Sequence, residues 1–130
     1  MDLRPGAVAE VDVIVTPERT ADAMGNKGVM VFATPFLIGL LEDAAGAIIH
    51  PHLPPGAATV GTWMEMRHLA ATPVGMRVRA RAELTETDGK RFRFRVEASD
   101  EVEKVAQGTH ERLVVASLEK FLSRAMAKGT

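Results

Sequence analysis

Cysteine is absent from this chain of 130 residues. That excludes a disulfide framework and a thiolate nucleophile, and it fits a cytoplasmic setting. No apolar stretch approaches the roughly 18 residues that a membrane-spanning helix needs. The first residues, Met-Asp-Leu-Arg-Pro-Gly, lack the apolar run of a signal peptide. Charge of one sign is lacking too: 16 Lys and Arg stand against 17 Asp and Glu. Composition therefore suggests neither nucleic acid nor an anionic membrane as a partner. Repeats, low-complexity segments, Gly-rich phosphate loops, Ser-His-Asp spacing and zinc signatures are also missing.

What is present is an ordinary globular composition, 46% hydrophobic and 25% charged. The length predicts one domain over residues 1–130. Residues 7–15 alternate and are rich in Val, which predicts a strand, ended by Thr16-Pro17. A short helical turn and a loop with Gly25, Asn26 and Gly28 are expected over 18–30. Residues 34–48 predict the one long helix, with Thr34 as N-cap and Pro35 at the first helical position. Phe36, Leu37, Leu40, Leu41, Ala44, Ala45 and Ile48 recur at helical spacing. Gly39 and Gly46 are small enough to let another element pack close to that helix.

From Ala57 the period changes to two. Ala58, Val60, Thr62, Met64, Met66, His68 and Ala70 are expected on one strand face. Over 76–85 and 91–99, apolar residues alternate with Arg and Glu, and Asp88-Gly89 marks a tight hairpin. A further strand covers 102–115, with Gly108 as a bulge candidate. A short helix over 117–127 would turn Leu118, Phe121, Leu122 and Ala125 inward. A sheet with one charged face needs a single covering layer, and the helix 34–48 is available. The expectation is an α+β hot-dog arrangement, an antiparallel sheet wrapped around one long central helix, with a short C-terminal helix.

Glu42 is the most informative polar residue. Its helical neighbours three and four positions away are Ile38, Gly39, Ala45 and Gly46, none of them a cation. His68 lies on the strand face with Met64 and Met66, where a hydrogen-bonded core role competes with a catalytic one. If the helix crosses that face, Glu42 and His68 can meet as an acid–base or nucleophile–acid unit. Thr34 precedes Glu42 by eight residues, about 12 Å along a helix. The free backbone donors near Thr34 suit a carbonyl oxygen that gains charge. Arg67, Arg77, Arg79, Arg81, Arg91, Arg93 and Arg95 read first as a solvated face balanced by Glu65, Glu83 and Glu97. Coenzyme A phosphates are the alternative use for some of them. The pair His50 and His52 in a Pro-rich loop is too little for a metal site, and none is expected.

Several segments then resemble a known family. They are Phe-Ala-Thr-Pro-Phe-Leu-Ile-Gly-Leu-Leu-Glu (32–42), Gly61-Thr62, His-Leu-Ala-Ala-Thr-Pro-Val-Gly-Met (68–76), Gly-Thr-His-Glu-Arg-Leu-Val-Val (108–115) and Leu-Glu-Lys-Phe (118–121). Together, over nearly the whole chain, they are similar to the fluoroacetyl-coenzyme A thioesterase family of hot-dog proteins. The resemblance implies a thioester hydrolase with Thr34, Glu42 and His68 as its catalytic set. It implies Gly61 and Arg112 as substrate contacts; strict alternation puts Gly61 on the face opposite His68, so either a bulge intervenes in that strand or Gly61 contributes only backbone. It implies coenzyme A as part of the substrate rather than a cofactor, and a homodimer, with a dimer of dimers left open. Glu42 would attack the carbonyl or activate a water. The family's fluoroacetyl-specific enzyme has a longer, aromatic-rich lid before the helix, whereas residues 21–31 here contain no aromatic side chain. A different small or medium acyl group is therefore expected, with Met24, Met30, Met64 and Met66 lining an adaptable pocket. An idle protein of the same fold that only binds an acyl thioester is the competing reading.

Overall fold

The computed structural model describes residues 1–129. In chain order the elements are β1 (Val8–Ile14), α1 (Thr34–Ile49), β2 (Ala58–His68), β3 (Arg77–Thr87), β4 (Arg91–Ser99), β5 (Lys104–Val115) and α2 (Leu118–Met126). The strands form one antiparallel sheet in the order β1-β3-β4-β5-β2. The two edge strands, β1 and β2, are consecutive in sequence, and α1 joins them. The helix must therefore cross the sheet, and it packs mainly on β1 and β3. Among the described residues no helix is long and apolar enough to cross a membrane.

Alternation decides the core. Val78, Ala80, Ala82 and Leu84 of β3, with Phe92, Phe94, Val96 and Ala98 of β4, are buried under the helix. Their arginine neighbours lie on the open face, where Arg77 and Arg79 pair with Asp12, and Arg95 pairs with Glu83. The helix contributes Leu37, Leu40, Leu41, Ala44, Ala45, Ile48 and Ile49. The turn at Asp88-Gly89 forms as expected. Gly89 has φ of 91°, and the Asp88 carboxylate accepts from the Lys90 and Arg91 amides at 2.9 and 2.8 Å.

Four local expectations change. Ala33 is the N-cap, and Thr34 is the first helical residue with no capping bond. Leu37 N–H donates to the Ala33 carbonyl at 3.0 Å, so the helix starts one residue earlier than a threonine cap would set it. Second, β2 does not alternate without a break. Its register with β5 shifts between Gly61 and Trp63, so Thr62 is a bulge. Before the bulge Thr59 and Gly61 face the helix side, and after it Met64, Met66 and His68 do.

Third, Gly108 is not bulged. It pairs in register with Met66 and Val96. A Cβ at Gly108 would run into the Glu65 carbonyl, so the glycine permits close approach of β2 and β5. Fourth, α2 buries nothing: Leu118, Phe121 and Leu122 are exposed, because α1 already occupies the apolar sheet face. Its start is held by Ser117 Oγ, which accepts from the Lys120 amide at 3.1 Å, and by the Gly56 carbonyl, which accepts from Leu118 N–H at 2.8 Å.

The buried polar side chains Thr20, Thr72 and His110 all have partners. Thr20 donates to the Pro17 carbonyl, and Thr72 donates to Asp100. His110, on β5, is stacked on Phe94 and donates from Nδ1 to the Trp63 carbonyl at 2.7 Å. Burial holds this imidazole below the usual histidine range. Arg112 acts in the same direction, and the Trp63 carbonyl, Glu42 and Glu111 oppose it.

Two outcomes follow from this packing. In the unfolded chain His110 titrates near its ordinary value of about 6.5, so as pH falls through that value the unfolded state takes up the proton first and gains stability. The melting temperature should fall more steeply between pH about 7 and 5 in the wild type than in His110→Asn, and parallel slopes would contradict the buried neutral imidazole. Gly108→Ala should cost about 1–3 kcal/mol through overpacking, seen as a lower denaturation midpoint. An unchanged midpoint would mean the strands are not so close.

Candidate active site

The same helix face that fills the core leaves Glu42 on the flank toward β2 and β5. Its side chain is 39% exposed, and Oε2 lies 3.5 Å from Arg112 Nη1 and 4.0 Å from His110 Nε2. Gly61 makes room for it: a Cβ there would stand 2.7 Å from Glu42 Oε2 and 3.3 Å from the His110 ring. The Thr62 bulge is what aims Gly61 inward, so the apparent conflict between Gly61 and His68 in strict alternation is resolved by an extra residue. The glycine is thus required by a neighbouring carboxylate rather than by a turn.

Arg112 is the hub of this cluster. Nε donates to Thr59 Oγ1 at 3.0 Å, Nη2 to the Thr59 carbonyl at 3.3 Å, and Nη1 to His110 Nε2 at 3.2 Å. Burial lowers the Arg112 guanidinium from its ordinary range, while Glu42 and Asp43 oppose that effect. Thr59 Oγ1 also bonds His50 Nε2 at 3.2 Å. Beside the cluster opens a cleft of about 410 Å³ lined by Gly39, Glu42, Asp43, Ala47, His50 and Arg112. No methionine lines it. Met64 and Met66 pack against the core instead, and Met24 and Met30 are exposed before the helix.

The second group of residues lies at the N-terminal end of the helix. Thr34 Oγ1 and His68 Nδ1 are 2.7 Å apart. Within one chain Glu42 and His68 therefore do not meet. The imidazole next to Glu42 is His110, and the partner of His68 is Thr34. The reason is spacing: Gly61, at the carboxylate, is seven residues from His68 along β2, roughly 23 Å of strand.

Two residues of the cluster escaped the sequence reading as site candidates. His110 shares a strand face with Arg112 by simple alternation, which was the available signal. Thr59 was hidden, because counting back from His68 without the bulge puts it on the wrong face. Chemically, the arrangement offers a carboxylate steadied by a guanidinium in an open cleft, and a separate hydroxyl–imidazole pair at a helix N-terminus.

Comparison with known proteins bears on what this arrangement is. The family model described as FlK, fluoroacetyl-CoA-specific thioesterase, matches residues 15–118. A fluoroacetyl-CoA thioesterase from Streptantibioticus cattleyicolor is 44% identical over 98 residues, covering 75% of this chain and 70% of that protein. A solved FlK structure, a threonine-to-serine variant in complex with acetyl-CoA, superposes with a TM-score of 0.93 at 36% identity, covering 98% of this chain and 100% of that one. A thioesterase superfamily member from Thermus thermophilus superposes with a TM-score of 0.87 at 32% identity, over 98% of this chain and 95% of that one. With likeness running through the helix, the bulged strand and the arginine strand alike, the chain belongs to the fluoroacetyl-CoA-specific thioesterase family and is a hot-dog-fold thioester hydrolase.

Proposed function

We propose that the protein hydrolyses a small or medium acyl-coenzyme A thioester in a site that two copies of the chain complete together. The observation that carries this reading is the Glu42 carboxylate, held in an open cleft beside Arg112 and the side-chain-free Gly61. Gly61 and Arg112 are the substrate contacts on that side. Glu42 supplies the attacking oxygen, either its own or that of a water it deprotonates.

Thr34 and His68 supply the complementary function. The Thr34 hydroxyl has one proton. If His68 Nδ1–H donates to Thr34 Oγ1, that proton is free to point at the thioester oxygen as it becomes an oxyanion, next to the backbone donors of the α1 N-terminus. The proton released by the attacking water, carried by Glu42 or by the bare Nε2 of His68, ends on the departing thiolate of coenzyme A. The products are the free acid and coenzyme A.

The placement of the two halves supports a dimer. β2 is an edge strand of 11 residues with Trp63 exposed, an open template for another strand. Antiparallel pairing of β2 with its copy, about a two-fold axis near residues 64 and 65, sets His68 of one chain opposite Gly61 of the other. That brings the Thr34–His68 pair of one subunit to the Glu42 cluster of its partner.

Fluoroacetyl-CoA is the substrate that the relative's name gives. Segment 21–31 of this chain has no aromatic residue, and its Met24, Val29 and Met30 are exposed. This favours an unfluorinated acyl group here.

Glu42→Gln should lower kcat by about 10²-fold or more on a panel of short and medium acyl-coenzyme A esters, with an unchanged melting temperature. Turnover within about threefold of wild type would remove Glu42 from the chemistry. Mixing inactive Glu42→Gln and His68→Ala subunits should restore about a quarter of wild-type activity, since half of randomly paired dimers carry one intact site. A mixture that stays inactive after subunit exchange would mean that the site is not shared between copies.

A further inference from the structure

We infer that Thr59 and His110 are positioning residues that hold the Arg112 guanidinium in the orientation that presents Nη1 to Glu42. The inference rests on the reading of Glu42 as the reacting carboxylate.

The hydrogen-bond inventory of Arg112 carries it. A guanidinium only donates, so every partner must accept. Thr59 offers two acceptors from one residue: its hydroxyl takes Nε at 3.0 Å and its carbonyl takes Nη2 at 3.3 Å. Two bonds to one residue fix both the position and the plane of the group. His110 fixes the remaining corner, with Nε2 accepting from Nη1 at 3.2 Å.

His110 can do this in one state only. Nδ1 faces the Trp63 carbonyl at 2.7 Å, and a carbonyl cannot donate, so Nδ1 carries the proton. Nε2 is then the bare nitrogen that Arg112 needs. A second proton on Nε2 would set N–H against N–H. The charged groups around the ring are Arg112 and Glu111 on its own strand and Glu42 from α1.

Without these two residues, a long and flexible arginine would be held near the carboxylate by Glu42 alone, at 3.5 Å. It would then follow the carboxylate instead of steadying it. Thr59 in turn is placed by His50 at the C-terminal end of α1, through the 3.2 Å contact between Nε2 and Oγ1. The path thus leaves the end of the helix, crosses β2 and β5, and returns to the middle of the same helix.

Thr59→Val removes the hydroxyl at nearly constant shape, and Thr59→Ser keeps it. On the best acyl-coenzyme A substrate, Thr59→Val should lower kcat by roughly 10-fold, the rate factor for losing one hydrogen bond to a charged group. KM should move by less than about threefold, and Thr59→Ser should recover most of the rate. His110→Asn should lower kcat in the same way, and if that variant fails to fold the threonine pair decides alone. A Thr59→Val enzyme with wild-type kcat would overturn the inference, as would a loss that Thr59→Ser does not recover. If Glu42→Gln is inactive while Thr59→Val is fully active, only this inference fails. If Glu42→Gln is itself active, the functional reading beneath it fails.

Discussion

The constraint on which the rest depends is that one helix must serve the whole apolar face of the sheet. Because α1 links the two edge strands, it crosses the sheet and commits its Leu, Ala and Ile face to β1, β3 and β4. Glu42 is then left with only one direction, the flank toward β2 and β5. Its depth is set by packing it takes no part in. Thr34 is delivered to the end of β2 by the same crossing, where it finds His68. Two chemically distinct groups therefore stand about two helical turns apart, at a separation that helical rise makes rigid.

The Glu42 cluster works by geometry more than by strength. The ion pair is long at 3.5 Å and open to solvent on its Glu42 side, which screens it to a contribution of about 1 kcal/mol. What confines it is the layer behind it. Arg112 is anchored on Thr59 and His110, and His110 is buried against Phe94. A loosely held carboxylate beside a firmly held cation can shift while the cation keeps its place, which is what the proposed chemistry requires. Gly61 completes the arrangement by having nothing to put in the way.

Much of this was legible from residue order alone. The clean alternation of β3 and β4, the turn at Asp88-Gly89 and the long apolar stripe of α1 are local signals, and each element formed where its period placed it. The pattern also singled out Glu42 as a carboxylate without a cation on its own helix. Thr34 and His68 were weaker candidates from the same pattern, and Gly61 and Arg112 entered as site residues only through the family resemblance. Less local features were not legible. The bulge at Thr62 shifts half of β2 onto the other face; the position of Gly61 raised a bulge as one of two explanations, and only the sheet register decided between them. The Thr34 hydroxyl looked like a helix cap because the partner it takes instead is 34 residues away in sequence.

The amino-acid order by itself determined the kinds of element, their sequence along the chain and which residue types could do chemistry, because hydrophobic period and turn chemistry act over a few residues. Only the tertiary structure decided the partnerships. Arg112 reaches Glu42, and His110 rather than His68 is the imidazole beside that carboxylate, because strand order and a one-residue bulge bring distant segments into hydrogen-bond range. Such contacts depend on how the whole sheet is assembled, and no local stretch of sequence encodes them.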